Sequence, residues 1–435
     1  MNGAAVRRRD ETAGPRTEAV PEDAFRLELP LPRQFTVQDE LALLLSAHSR
    51  FSLPQKQRDR FAGMLFQMDR FGEAIDLLRA VETRRSYENR MLLAAAHLAR
   101  TTESDNAAAL EVLIEANGLA ATPTQHATAL AELGKAMLRL CRADEAREAF
   151  LAALRSDPAN ADAFRRLALL DIGCGAAAEV LGRSNVLVDG GLVHPYLLAV
   201  RALAFAVLDR MDEARETFGF ERFGHGGVLS PPPGWSSIEM FNMALAEEIA
   251  CHPGLRYERV GTASLASWRV DDPLLERSVL LPLLLEAIRR KIVAYVAAMP
   301  AYAPFARTGR ASRATLTVWS VLTRNDGFED WHIHPSAWLS GVYYVEVPCA
   351  VRSGGGKAGC IEFGAPPAVI GAQLAARLGT HVVRPQAGRF MLFPSHNYHR
   401  TYPHDGDGRR ICVAFDVVSQ EARSTTETHG PDISV

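Results

Sequence analysis

Two hydrophobic rhythms divide this chain. From about residue 37 to 218, apolar side chains recur at helical intervals through segments rich in Ala, Leu, Arg and Glu, the pattern of amphipathic helices. From about residue 315 onward short β-rich runs take over. Strands are expected at 315–322, 339–347, 360–363, 381–384, 389–393 and 410–418, with successive side chains on opposite faces. Between the two regions Gly224, Gly226 and Gly227 precede Pro231-Pro232-Pro233-Gly234. Such a run cannot continue a helix, so a domain boundary falls there. Beyond it, helices are expected over 237–250, with Ser236 or Ser237 as N-cap, and over about 273–299. In the second, Leu280, Leu284, Ile288 and Ile292 recur every four residues as a packing stripe. Asn325-Asp326-Gly327 reads as a turn, and Gly388 as a tight turn before a strand.

The helical half carries an internal repeat. Leu133-Gly134, Ala146, Phe150, Ala153 and Pro158 fall on the tetratricopeptide pattern, with small residues where helices cross and large ones beside them. Adding 34 twice to 146 and to 150 lands on Ala214 and Phe218, and Gly72-Glu73-Ala74 through Leu78 repeats the second-helix signature earlier. The units near 167–181 and 91–116 read as degenerate. One helix pair cannot bury its apolar face alone, so several stack into a solenoid with a concave surface suited to an extended peptide or a partner helix. A dimerisation or spacer module is the competing reading.

Composition narrows the class. A chain of 435 residues suggests two or three domains, and a net charge of −3 with pI near 6.5 gives no electrostatic case for nucleic acid or an anionic membrane. The most apolar stretch, 279–288, is interrupted by Pro282 and Glu286, so no membrane span is expected. Arg7–Arg9 have no apolar segment behind them, which argues against a secretory signal. The six cysteines form no CxxC pair and suit a reduced cytoplasm. The expected division is a disordered tail (1–30), a helical repeat domain (31–222), a Gly/Pro linker (223–236), a helical buttress (237–310), a β core (311–420) and a flexible tail (421–435).

The chemistry concentrates in Trp331-His332-Ile333-His334-Pro335 and Phe393-Pro394-Ser395-His396-Asn397-Tyr398-His399. On a strand, His332 and His334 share a face, and His399 from a later strand can complete a three-sided metal site. Such a face with open positions suits non-haem Fe(II). Arg410, eleven residues after His399 (410 − 399), opens a strand and offers a planar fork for a carboxylate. The glycine-rich run Ser353–Lys357 lacks P-loop spacing and reads instead as a mobile lip.

In order, Gly327-Phe328, His332-Ile333-His334-Pro335, Trp338 to Val345, Ile361 to Gly364, Gly388 to Ser395, His399-Arg400-Thr401 and Arg410 resemble the 2-oxoglutarate/Fe(II) oxygenases that follow tetratricopeptide repeats in bacterial proteins. The resemblance runs from about Met240 to Val418. It implies an α+β chain: a tetratricopeptide-like solenoid, then a double-stranded β-helix, or jelly-roll barrel, with buttressing helices. It further implies His332 and His399 as iron ligands, Arg410 as the 2-oxoglutarate anchor, Tyr344 as a second contact to that co-substrate, and Cys412 beside it. His334 stands where the wider superfamily has a carboxylate. Either His334 ligates, or it sits behind two histidine ligands, or an acid such as Asp330 or Glu362 substitutes. The expected activity is hydroxylation with Fe(II), 2-oxoglutarate and O2 of a protein or peptide recruited by the repeats. The alternatives are a three-histidine, cupin-like metal dioxygenase without 2-oxoglutarate and a non-catalytic repeat scaffold.

Overall fold

A computed structural model describes residues 25–51, 53–80, 86–299, 313–404 and 406–420. The tail expected before residue 25 and that after 420 lie outside the described residues, as does the end of the expected buttress. No helix of the described residues is long and apolar enough to cross a membrane.

Helix pairs run from Val37–His48 to Met211–Phe218. The turn between the two helices of a pair is built the same way repeatedly: Asp69, Cys141, Gly175 and Asp209 take left-handed backbone conformations, with φ of 60°, 58°, 80° and 60°. The last three are spaced by 34 residues (175 − 141 and 209 − 175), so the unit expected to be degenerate near 167–181 keeps the repeat in its backbone. The irregular unit is the earlier one. Its second helix, Glu103–Leu119, has 17 residues, and the left-handed residue before it is Thr101. After three of the turns an arginine at the helix start clamps a glutamate one turn on: Arg70 with Glu73, Arg142 with Glu145 and Arg210 with Glu213. Packing follows the small-residue logic. Phe150 is fully buried with its ring directly over Gly134, where an added methyl would lie 2.4 Å from Phe150 Cε1.

The strands are β1 (Arg26–Glu28), β2 (His225–Val228), β3 (Arg256–Tyr257), β4 (Ser264–Asp271), β5 (Arg313–Glu329), β6 (Leu339–Glu346), β7 (Ile361–Phe363), β8 (His381–Val383), β9 (Arg389–Pro394), β10 (His399–Thr401) and β11 (Arg409–Ser419). The larger sheet has the order β2-β9-β6-β11-β5-β4-β3, with β1 added parallel to β5, and the smaller has the order β10-β7-β8. From β5 to β11 the chain winds back and forth between them, which is the double-stranded β-helix. Val321, Val342, Tyr344, Met391 and Cys412 of the larger sheet pack against Ile361 and Phe363 of the smaller. The sheets face each other as a jelly roll; their described strands do not close into one continuous barrel. Phe241, Leu245, Leu284, Ile288 and Ile292 join Leu316, Val318, Tyr343, Val413 and Phe415 on the other face of the larger sheet, as the expected stripe requires. Ser237 caps the Ile238–Ala250 helix through Met240 N.

Three expectations change. Residues 26–28, assigned to a tail, pair with Arg313–Thr315. The 223–236 linker contains β2, which closes onto Arg389–Leu392; Gly226 allows this approach, since a Cβ there would lie 3.1 Å from Phe390 O. The helical buttress contains β4, in which a bulge at Ala266, φ 46°, shifts the pairing with β5 between Leu265 and Ser267. The Asn325-Asp326-Gly327 turn is the opposite half of that irregularity, inside β5, with Asn325 at φ 33°.

The repeats grip the β half near both of their ends. Arg256 donates to Gln67 O (2.8 Å). At the other end Arg215 donates to Arg377 O (2.8 Å), and His396 Nε2 to Thr217 O (2.8 Å).

Candidate metal centre

His332 lies outside the named strands but is paired with His399: each backbone N donates to the other's carbonyl at 3.0 Å. Two residues on, His334 N donates to Ser395 O at 2.9 Å. These contacts hold the His-x-His segment across the end of β10, so that the three rings converge. One nitrogen from each of His332, His334 and His399 lies within 4.8 Å of the others. The Nε2 atoms of His334 and His399 are 3.2 Å apart, and the His332 and His399 ring centroids 4.1 Å apart.

The other ring nitrogens fix the tautomers. His332 Nδ1 faces Asp330 O at 2.7 Å, His399 Nδ1 faces Asn397 O at 2.9 Å, and His334 Nδ1 faces Asp416 Oδ1 at 2.9 Å. Carbonyl and carboxylate oxygens only accept, so each Nδ1 carries a hydrogen, and in the neutral ring Nε2 then presents a lone pair. Burial, reinforced by the neighbouring His334, pushes His332 down to about 3, and burial with both neighbours pushes His399 well below the ordinary imidazole range. His332 and His399 therefore stay neutral and unprotonated at Nε2. Two such lone pairs at 3.2 Å repel unless a cation lies between them. Two imidazole nitrogens about 2.1 Å from one ion at right angles would be about 3 Å apart. The donor set fits a metal, with each outer nitrogen satisfied as metal-binding histidines usually are.

Arg410 is buried on the inner face of β11. It donates to Gly359 O (3.0 Å) and Thr401 Oγ1 (3.2 Å), while its Nε has no partner and no carboxylate among the described residues pairs with it. A buried guanidinium of this kind is incomplete without an anion. Tyr344 and Cys412 lie opposite each other on β6 and β11 and share this inner core. Burial raises both, Cys412 to about 11, despite Arg410 nearby. Cys412 is thus a neutral thiol lining the core.

The two carboxylates considered as substitutes are engaged elsewhere. Asp330 is exposed, its side chain accepts from Trp331 N at 2.7 Å, and only its carbonyl meets His332. Glu362 is buried between Lys357 (2.7 Å), Arg400 (2.7 Å) and Tyr402 (2.6 Å). Burial pushes it up, but those donors outweigh burial and hold it at about 2. The glycine-rich lip is tied down through Lys357 and through Gly356 O, which accepts from Arg384. Trp338 is core, and Trp331 lies under the Arg400 guanidinium at 4.9 Å.

Sequence reasoning missed Asp416, Thr401 and Trp319. Trp319 stacks on His334 with centroids 5.4 Å apart and carries Arg269 on its ring at 4.9 Å. Asp416 was findable, since 410, 412, 414 and 416 share one strand face. The Thr401 contact depends on two strands of different sheets and left no local trace.

The winding of the sheets defines a double-stranded β-helix domain set behind a tetratricopeptide-like array, with three converging histidines at its mouth. Residues 317–416 match the family model described as "Putative 2OG-Fe(II) oxygenase". Similar solved structures include a Pseudomonas putida prolyl-4-hydroxylase (13% identity, 49% of this chain and 99% of that one, TM-score 0.32). A Trichoplax adhaerens prolyl hydroxylase in complex with a hypoxia inducible factor peptide fragment is 11% identical over 51% of this chain and 96% of that one, TM-score 0.32. For the helical half, a tetratricopeptide protein of Thermus thermophilus is 19% identical over 39% and 91%, TM-score 0.30. No curated protein matches the chain.

Proposed function

We propose that this protein is an Fe(II)- and 2-oxoglutarate-dependent dioxygenase that hydroxylates a side chain of a protein or peptide recruited by its helical repeats. The observation that carries the reading is the convergence of three imidazoles, each with its Nδ1 facing an oxygen acceptor. His332, His334 and His399 would hold the ion. Arg410 would take the far carboxylate of 2-oxoglutarate through its guanidinium fork, whose Nε has no partner among the described residues, with Tyr344 and Cys412 lining the same core. Iron with 2-oxoglutarate and O2 supplies a C–H oxidant, releasing succinate and CO2. The chain's own part is to orient the imidazoles, fix the co-substrate and exclude water with the aromatic walls of Trp319, Phe363 and Phe393. Stacked helix pairs support an extended protein partner.

Anaerobically purified protein supplied with Fe(II), 2-oxoglutarate and air is expected to release succinate, and His399→Ala to release none. The replacement of a carboxylate by His334 favours a second reading, a three-histidine dioxygenase without 2-oxoglutarate. Oxygen uptake that depends on iron but not on 2-oxoglutarate would select it. A +16 Da shift in a protein captured by the full chain would identify the substrate.

A further inference from the structure

His334 is enclosed by a ring of hydrogen bonds that neither of its neighbours in the triad has. Its backbone N donates to Ser395 O at 2.9 Å. Ser395 Oγ is 2.7 Å from Ser340 Oγ, Ser340 Oγ is 2.6 Å from Asp416 Oδ1, and the same Oδ1 is 2.9 Å from His334 Nδ1. A carboxylate only accepts, so Ser340 donates to Asp416 and in turn accepts from Ser395. Both serines are fully buried. The loop thus ties the ring, the backbone and the carboxylate of β11 into one unit. By contrast, His332 and His399 direct Nδ1 at neutral backbone carbonyls, Asp330 O and Asn397 O.

We infer that Asp416 is a positioning residue that supplies, one hydrogen bond behind His334, the negative charge a carboxylate ligand at position 334 would have supplied directly. The inference rests on the metal reading above. Three neutral imidazoles leave the full charge of a divalent ion uncompensated by the inner ligands. A carboxylate hydrogen-bonded to the outer nitrogen of one imidazole raises the basicity of the inner nitrogen, fixes its tautomer and offsets part of that charge. The arrangement explains how His334 can stand in the place of an acid: the acid has moved back by the length of one imidazole. It also leaves the inner ligand set wholly imidazole, which favours ions that bind nitrogen well over those that demand oxygen.

The test is a Co(II) titration of the full metal-free chain followed by its visible absorbance, for the wild type and Asp416→Asn. Asparagine keeps an oxygen acceptor in the same place and removes the charge. The expected result is Co(II) binding 10–100-fold weaker in Asp416→Asn, about the size typical for such outer partners, at an unchanged urea midpoint of the metal-free protein. Equal affinity in a wild type and variant that both bind overturns the inference and leaves the metal reading standing. A wild type that binds no Co(II) overturns both. Should Asp416→Asn fail to fold, long-range proton–nitrogen NMR on the metal-free wild type decides. A His334 hydrogen on Nδ1 supports the role, and one on Nε2 overturns it.

Discussion

Replacing Arg410 by leucine should affect stability and co-substrate binding in opposite directions. Arg410 is 2% exposed, its guanidinium bonded to one carbonyl and one hydroxyl, with Nε unpartnered and no ion pair to a carboxylate among the described residues. Removing a buried cation that lacks a direct ion pair relieves a desolvation cost, so the ligand-free protein should be as stable as the wild type or more so. Binding of 2-oxoglutarate should suffer. Hydrogen bonds to charged groups contribute roughly 1.5–3 kcal/mol each, so losing a two-pronged contact costs about 3 kcal/mol or more, a factor of at least about 100 in Kd. Thermal shift with a redox-inert metal bound reads both effects. At a 2-oxoglutarate concentration 100 times the wild-type Kd, the ligand stabilises the wild type by about 2.7 kcal/mol and a 100-fold weaker variant by only about 0.4 kcal/mol. A variant that keeps its 2-oxoglutarate-induced shift, or that melts several degrees lower without ligand, refutes the assignment of Arg410 as an anion anchor waiting for its partner.

Two further predictions address the scaffold. Gly134→Val should destabilise the helical half by about 2–3 kcal/mol through overpacking against the buried Phe150 ring. Gly63→Ala, where nothing lies within 4 Å, should instead stabilise by up to about 1 kcal/mol from helix propensity; urea melts of both variants check the contrast. His396, buried and pushed down to about 4 mainly by that burial, titrates near 6.5 once unfolded. The unfolded chain therefore binds a proton between pH 6.5 and 4 that the folded chain does not. Its stabilisation is complete above pH 6.5 and is lost as pH falls through that window, on the order of a few kcal/mol by pH 4. His396→Gln should reduce the slope of stability against pH by about one proton there, measured by urea unfolding at several pH values; an unchanged slope would count against it.

Much of the site was legible because its residues carry short-range constraints. The alternation that puts His332 and His334 on one face is a property of extended backbone, and each β-rich run overlaps one of the strands β5, β6, β7, β8, β9 and β11, to within a residue where it runs past the end. The repeat was legible for the same reason: Ala146, Phe150, Ala214 and Phe218 sit where helices must cross. β4 was hidden because a bulge at Ala266 interrupts its two-residue alternation, and β2 because its glycines looked like a linker. Whether His334 faced inward was open, and neither rival acid could be excluded along the chain.

The sequence by itself determined which imidazoles and which guanidinium were available, and that helices precede strands, since periodicity and residue chemistry are local. Only the tertiary structure decided what stands behind each ring. His332 met Asp330 O, His399 met Asn397 O, and His334 met Asp416, 82 residues away (416 − 334). Those partners set each tautomer and so the direction of each lone pair. A hydrogen bond between strands distant in the chain depends on the register of a sheet, which no single strand contains.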